Sequence, residues 1–302
     1  EATYPLHAFV CERCWLVQVP RLYDVYKATG LMDNFQQVIV NVFQPLFEVT
    51  RDPTSHPKLH MFLQRVIGFD SVDDESKIEH DMLSSSNPPP EQWDLPYNPP
   101  YGYWMYYMYA NIVVLNKLRA ERGLNTFQFR PHCGEAGEVE HLLSTYIVAH
   151  QINHGIMLRK NPALHYLYYL SQIGIAMSPL SNNKLFLDYQ KNPFIKYFNQ
   201  GMNVSLSTDD PLMLHITKDA LLEEYSVAAQ VWKLTATDQC EIARNSVLQS
   251  GWEMKFKRHY LGKDFSDIRE TNVPVIRLLY RQETLEQEQG LVKRFHVLKA
   301  IK

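Results

Sequence analysis

One unit recurs along this chain: a short apolar run, a polar or acidic break, then a longer stretch with helical spacing. Six such runs can be marked, at Trp15–Pro20, Val66–Ser71, Thr126–Pro131, Ile152–Met157, Ile173–Pro179 and the segment beginning at Val204. Each has strand length and is bounded by proline, glycine or small polar residues. The stretches between them read as helices: Leu22 to Glu48 with a break at Gly30, Tyr101 to Gly123, Glu138 to His150, Ala163 to Gln172, Pro193 to Gln200, Ala220 to Leu234 and Cys240 to Gly251. A polar helix is expected beyond Gln282, and residues 80–100, rich in serine and proline, read as a loop. Strand and helix in strict alternation predict a parallel α/β fold. Because reactive side chains cluster only at the C-terminal ends of several runs, a (β/α)8 barrel is favoured over an open doubly wound sheet.

Several function classes are excluded by what surrounds these runs. Thirty-three acids against thirty bases give a net charge of −3 with no long basic stretch, so neither nucleic acid nor an anionic membrane is an expected partner. No run is long enough to span a bilayer, and the start at Glu1 has neither a basic nor an apolar leader region. The absence of an initial methionine suggests a fragment or a processed start. Four scattered cysteines suit a reducing compartment such as the cytosol. The pair Cys11 and Cys14 has the CxxC spacing but lacks a second pair or a redox context, so a thiol-exchange protein is a remote alternative. There is no GxGxxG and no GxxxxGK[ST]. The aromatics between Tyr101 and Tyr109 have no interleaved cations and read as core rather than a stacking platform for bases.

Two stretches carry chemistry. In Val204-Ser-Leu-Ser-Thr-Asp209-Asp210-Pro211 a buried strand ends in adjacent carboxylates, which point in different directions and can take different roles. The plain alternative is a helix cap, with Asp before a proline at the first helical position. In His132-Cys-Gly-Glu135-Ala-Gly137 an imidazole and a carboxylate are separated only by small residues, so a metal ligand and a proton donor can share a pocket. His150 and His154 mimic an HxxxH zinc pair, but the glutamate of HExxH is missing and Asn-His-Gly favours a turn. The acidic run Asp73-Asp-Glu-Ser-Lys77 reads as a solvated turn.

Together these stretches resemble the AMP deaminase family, within the adenosine/AMP deaminase superfamily of metal-dependent hydrolases. The resemblance rests on WLVQVPRLYDVYK, VIGFDSVDDESK, RPHCGEAG, NHGIMLRK, YLYYLSQIGIAMSPLSNN, VSLSTDDPL, EEYSVAAQVWKL, CEIARNSVLQSGW and TNVPVIR, from Trp15 to about Tyr280. It implies zinc-dependent hydrolysis of AMP to IMP and ammonia, and it implies site roles. His132 and Asp209 would be zinc ligands, Glu135 would give a proton to N1 of the purine, and His154 would assist the attacking water. Asp210 would hold the purine, with Pro211, Leu212 and Met213 lining the pocket beside it. The resemblance further implies a homo-oligomer, a tetramer, in the cytosol.

The chain also departs from the family. It contains no HxH pair, which supplies two further zinc ligands on the first barrel strand, and no early Lys-Phe-Asn segment. The expected fold is therefore an incomplete TIM (β/α)8 barrel, with roughly strands 3 to 8 present. Two ligands fall short of a usual catalytic zinc site, so weak or no metal binding by the chain alone is expected. Residues 1–14 do not follow the family pattern, the segment 262–267 looks shortened, and Met213 stands where glutamine is more common. A partial deaminase is thus the first reading, and a non-catalytic subunit that keeps the fold is the alternative.

Overall fold

The computed structural model describes residues 14–263, 271 and 273–300. Among these residues seven strands, β1 to β7 in chain order, form two sheets, and the pairs β1–β2, β2–β3, β5–β6 and β6–β7 are parallel. The parallel α/β expectation holds. Contacts divide the chain into two compact units, one running to His132 and including 147–150, the other comprising 133–146 and 151 onward; the division falls inside strand β4.

The first unit contains β1 (Trp15–Pro20), α1 (Tyr23–Ala28), α2 (Phe35–Arg51), α3 (Pro57–Leu63), β2 (Val66–Val72), α4 (Tyr101–Glu121) and β3 (Gln128–Phe129). Its sheet runs β1-β2-β3. Helix α2 starts where Asn34 accepts the Gln37 amide, and it buries Phe35, Val38, Ile39, Phe43, Leu46 and Val49 along one stripe. That stripe meets α4, where the Phe35 ring lies 5.0 Å from Trp104 and 5.8 Å from Tyr103. Tyr101, Tyr103 and Trp104 of α4 are therefore core, as expected, while Tyr106 is exposed. Gly68 is required by sheet packing, since a Cβ there would collide with the Gln128 carbonyl.

At the ends of β1 and β2 the acidic run differs from expectation. Asp73 is not merely solvated: it binds Arg21 at 2.6 Å, and Glu79 binds the same guanidinium at 3.1 Å. Arg21 is almost fully buried and Glu75 is buried as well. A buried guanidinium needs compensating acids, and this run supplies one. Glu79 also accepts the Tyr101 amide at the start of α4.

The four-stranded sheet has the order β4-β5-β6-β7. Its elements are β4 (His132–Cys133), α5 (Glu140–Val148), β5 (Gln151–His154), α6 (Pro162–Ser171), β6 (Gly174–Met177), α7 (Pro179–Leu185), α8 (Phe194–Asn199), β7 (Val204–Leu206), α9 (Pro211–Leu214), α10 (Ala220–Trp232), α11 (Ala236–Gln249), α12 (Met254–Leu261) and α13 (Val275–Ala300). Every residue of β6 and β7 is buried, as befits strands covered on both faces. Gln249 at the end of α11 ties the sheet's N-terminal edge together: it accepts the Ser205 hydroxyl at 2.8 Å and donates to Asn203. Helix α13 is clamped to α11 through Arg277 and Arg281, both paired with Glu241 and both lying over the Phe198 ring.

Three boundaries depart from the sequence reading. The third apolar run, Thr126–Pro131, forms only the two-residue β3, and a further strand, β4, follows it at His132–Cys133, giving seven strands among the described residues where six were expected. The fourth strand stops at His154, because His154 and Gly155 both take positive φ (70° and 61°) and turn the chain into a short 3-10 segment, Ile156–Lys160. The polar end of the fifth run, Ser181 to Asn183, is helical in α7, with Pro179 in its first turn. Cys11 of the CxxC pair, and positions 264–267 of the segment that looked shortened, lie outside the described residues.

Candidate active site

The candidate residues stand at strand ends of the four-stranded sheet. His132 opens β4, Glu135 follows in the loop after it, His154 closes β5, and Asp209 and Asp210 follow β7. Gly134 makes the loop possible, with φ of 68° and no room for a Cβ, which would lie 2.8 Å from a Leu142 methyl. One nitrogen each from His132 and His154 and a carboxylate oxygen of Asp209 lie within 4.8 Å of one another. Two imidazoles and a carboxylate form a donor set suited to zinc or a similar divalent ion.

The backbone supports this reading. Among the described residues four non-glycine residues have positive φ: His154, Gln172, Asp209 and Lys233. Gln172 and Lys233 are left-handed helix C-caps, an ordinary use of that conformation. The other two belong to the cluster. A left-handed aspartate or histidine away from a cap costs about 1–3 kcal/mol and persists where its surroundings enforce it, most often at functional sites.

His132 is oriented by a residue that sequence reasoning missed. Asp70 Oδ1 lies 2.9 Å from His132 Nδ1 and accepts the His132 amide at 3.1 Å, while Asp70 Oδ2 accepts from Gln18 at 3.0 Å. A carboxylate on Nδ1 fixes the tautomer with Nε2 available for a metal, the usual supporting arrangement for a ligating histidine. The signal in the sequence was a lone acid inside the apolar run VIGFD, overshadowed by the denser acids that follow.

Glu135 and His154 form a second group. Glu135 Oε1 lies 3.3 Å from His154 Nδ1 and accepts from Asn182 Nδ2 at 2.9 Å. Asn182 is fully buried and also approaches His154 Nδ1 at 3.3 Å. Its own carbonyl faces Asn192 Nδ2 at 3.5 Å. Asn182 and Asn192 were not singled out from the sequence; an asparagine pair in a helix and the following loop carries no local signature. His150, by contrast, has no part here. Its Nδ1 accepts the Phe129 amide at 3.1 Å, and burial lowers its pKa. The rejection of an HxxxH pair stands on that different job.

Asp210 occupies the N-cap position of α9 without a side-chain bond to the helix. Capping thus explains its place but leaves its carboxylate uncommitted to the helix. Pro211, Leu212 and Met213 lie in α9 and are exposed, Leu212 completely so. Beyond them His215 Nε2 meets Glu224 Oε2 at 2.9 Å, both side chains having no exposed surface. Burial, and to a lesser extent the Asp209 carboxylate, push Glu224 above the ordinary carboxylate range, against the opposing pull of the Leu180 amide and His215. No helix among the described residues is long and apolar enough to cross a membrane.

The sequence matches the AMP deaminase family over residues 6–298. It is 61% identical over 288 residues to the AMP deaminase of Saccharomyces cerevisiae, covering 93% of this chain and 35% of that protein. Identity to the AMP deaminase of Schizosaccharomyces pombe is 63% over 280 residues, with 93% and 34% covered, and to human AMP deaminase 3 it is 56% over 281 residues, with 91% and 37% covered. The chain spans about a third of the length of these curated relatives. Among solved structures, Arabidopsis N6-mAMP deaminase superposes with a TM-score of 0.52 at 14% identity, covering 82% of this chain and 57% of that one. An amidohydrolase from Burkholderia ambifaria, solved with bound zinc, gives 0.52 at 13% identity, covering 91% and 59%. At such identities the likeness establishes a shared fold.

Proposed function

Because this chain belongs to the AMP deaminase family, we propose that it carries part of a hydrolytic site that converts AMP to IMP and ammonia. The observation that carries the proposal is the donor cluster of His132, His154 and Asp209 at the strand ends, with Glu135 beside it. Zinc suits that set, with His132 and Asp209 as its ligands, and when bound would supply the Lewis acidity that makes a water nucleophilic near neutral pH.

The remaining steps belong to the chain's own groups. Protonated Glu135 gives a proton to N1 of the purine as water adds at C6, relieving the charge that develops on the ring. Asn182, donating to Glu135 Oε1, holds that carboxyl in place. His154, largely withdrawn from solvent beside Glu135, accepts a proton from the attacking water. That proton passes to the amino group, which leaves as ammonia, and the hydroxyl proton remaining at C6 returns to the Glu135 carboxylate as the ring becomes the 6-oxo product. Asp210 fixes the purine, and Pro211, Leu212 and Met213 border it. Asp70, bonded to Nδ1 of His132, fixes the ring and leaves Nε2 as the atom that would hold the ion.

An incomplete barrel, roughly strands 3 to 8, is the fold this family reading implies; a homotetramer and a cytosolic location go with it. Residues 1–14 are read as lying outside the catalytic portion, which occupies 15–302. A non-catalytic subunit is the second reading, favoured by the lack of any HxH pair in these 302 residues. Ammonia release from AMP, measured with and without added zinc, separates them. The first reading predicts zinc-dependent turnover by the intact protein that is abolished in His132→Ala; zinc binding without turnover favours the second.

A further inference from the structure

Helix α10 carries two adjacent glutamates with opposite surroundings. Glu223 is half exposed and accepts the backbone amides of Ile216 and Thr217, an ordinary brace for the loop that enters the helix. Glu224 is fully buried and reaches two ways: Oε1 accepts the Leu180 amide at 2.8 Å, and Oε2 meets His215 Nε2 at 2.9 Å. Burying a carboxylate costs several kcal/mol, and a buried pair is frequently replaceable by apolar side chains with no loss of stability. Stability is therefore a weak reason for this one.

What Glu224 joins is more specific. Leu180 lies in the first turn of α7, the helix that presents Asn182 to Glu135 and His154. His215 ends α9, the single turn that leaves Asp209 and Asp210. Asp209 holds its positive φ of 56° in the very segment that His215 pins. A backbone conformation of that kind needs its neighbours fixed on both sides. Strand β7 fixes one side, and Glu224 with His215 is the anchor on the other.

We propose that Glu224 and His215 are positioning residues, holding the turn that carries Asp209 in register with the turn that carries Asn182. The metal carboxylate and the proton donor Glu135 thereby keep their spacing. This inference rests on the deaminase reading above. Neither side chain is assigned a contact with substrate. Both act through the residues they hold.

The test uses the intact protein with Glu224→Ala and His215→Ala, and Glu223→Ala as the control. Zinc affinity, kcat and KM for AMP, and thermal midpoint are measured for each. Expected are losses of about 10- to 100-fold in kcat and in zinc affinity for both Glu224→Ala and His215→Ala, with KM within about 2-fold. Glu224→Gln, which keeps an acceptor for the Leu180 amide, loses less than Glu224→Ala. Glu223→Ala, which releases only the Ile216 and Thr217 amides of the loop after His215, loses less than about 3-fold in either quantity. A folded Glu224→Ala or His215→Ala that binds zinc and turns over like the unsubstituted protein overturns the proposal, and if Glu224→Ala does not fold, His215→Ala and Glu224→Gln decide. Should the unsubstituted protein fail to deaminate AMP, the functional reading falls, while the zinc affinities of the variants still decide the positioning role.

Discussion

Both sheets place charged side chains at strand ends, and they do opposite things with them. At the ends of β1 and β2 a buried arginine is met by Asp73 and Glu79, so opposite charges are spent on each other and the result is structure. At the ends of β4, β5 and β7 the groups brought within 4.8 Å are two imidazoles and a carboxylate, all of them electron-pair donors, set on backbone that is strained at His154 and Asp209. Donors gathered around a common point, with strain to hold them there, describe a place for a cation. The density of charge in the sequence does not distinguish the two regions. What distinguishes them is whether the partners are of opposite kind.

That contrast can be broken by substitution, beginning where the effect is greatest. Asp209→Ala is expected to abolish zinc binding and ammonia release while the protein remains folded, measured by metal analysis and circular dichroism on the same sample. Glu135→Gln should retain metal and lower kcat by about 10²- to 10⁴-fold, the usual loss when a general acid is removed; steady-state kinetics check it. Asp70→Asn leaves the His132 ring in place but weakens its orientation, with an expected cost of about 10- to 100-fold in metal affinity or turnover. Arg21→Met acts on the other region alone. It removes the guanidinium from beside Asp73 and Glu79, and because these side chains are largely buried it should destabilise the fold by about 3–5 kcal/mol in urea unfolding. Per folded molecule, its zinc affinity should not change.

The smallest expected effect is a pH dependence in the first unit. His150 accepts the Phe129 amide through Nδ1, which requires a neutral ring, and burial holds its pKa below the ordinary histidine value. The folded state therefore binds fewer protons than the unfolded chain, so stability is lost as pH falls below about 6.5, the unfolded value. His150→Gln, which keeps an acceptor for that amide, should flatten the profile of unfolding free energy between neutral and mildly acidic pH.

Much of the fold is legible in the sequence itself. The alternation of apolar runs and helical stretches pointed to the parallel α/β fold, and the placing of His132, Glu135 and Asp209 beyond the ends of apolar runs followed from where those runs stop, whereas His154 was read inside its run. The less legible features share a physical cause: they depend on partners far away in sequence. Asp70 matters because of His132, sixty-two residues on, and Asn182 because of Glu135, forty-seven residues before it. Within the run VIGFD or SPLSNN each is one polar residue among others. The strand ending at His154 was read too long for a different reason, since Ile156 and Met157 continue the apolar pattern while the backbone at His154 and Gly155 has already turned. Periodicity reports burial, and burial continues through a turn that the pattern does not reveal.

In the proposed site His132 and Asp209 would hold a metal ion between them. Crystals of the intact protein equilibrated with zinc, with anomalous diffraction collected at the zinc edge, test it without relying on activity. An anomalous peak is expected about 2.0–2.2 Å from His132 Nε2 and from an Asp209 carboxylate oxygen, lost in Asp209→Ala. Zinc bound elsewhere, or a peak that survives that substitution, would contradict it.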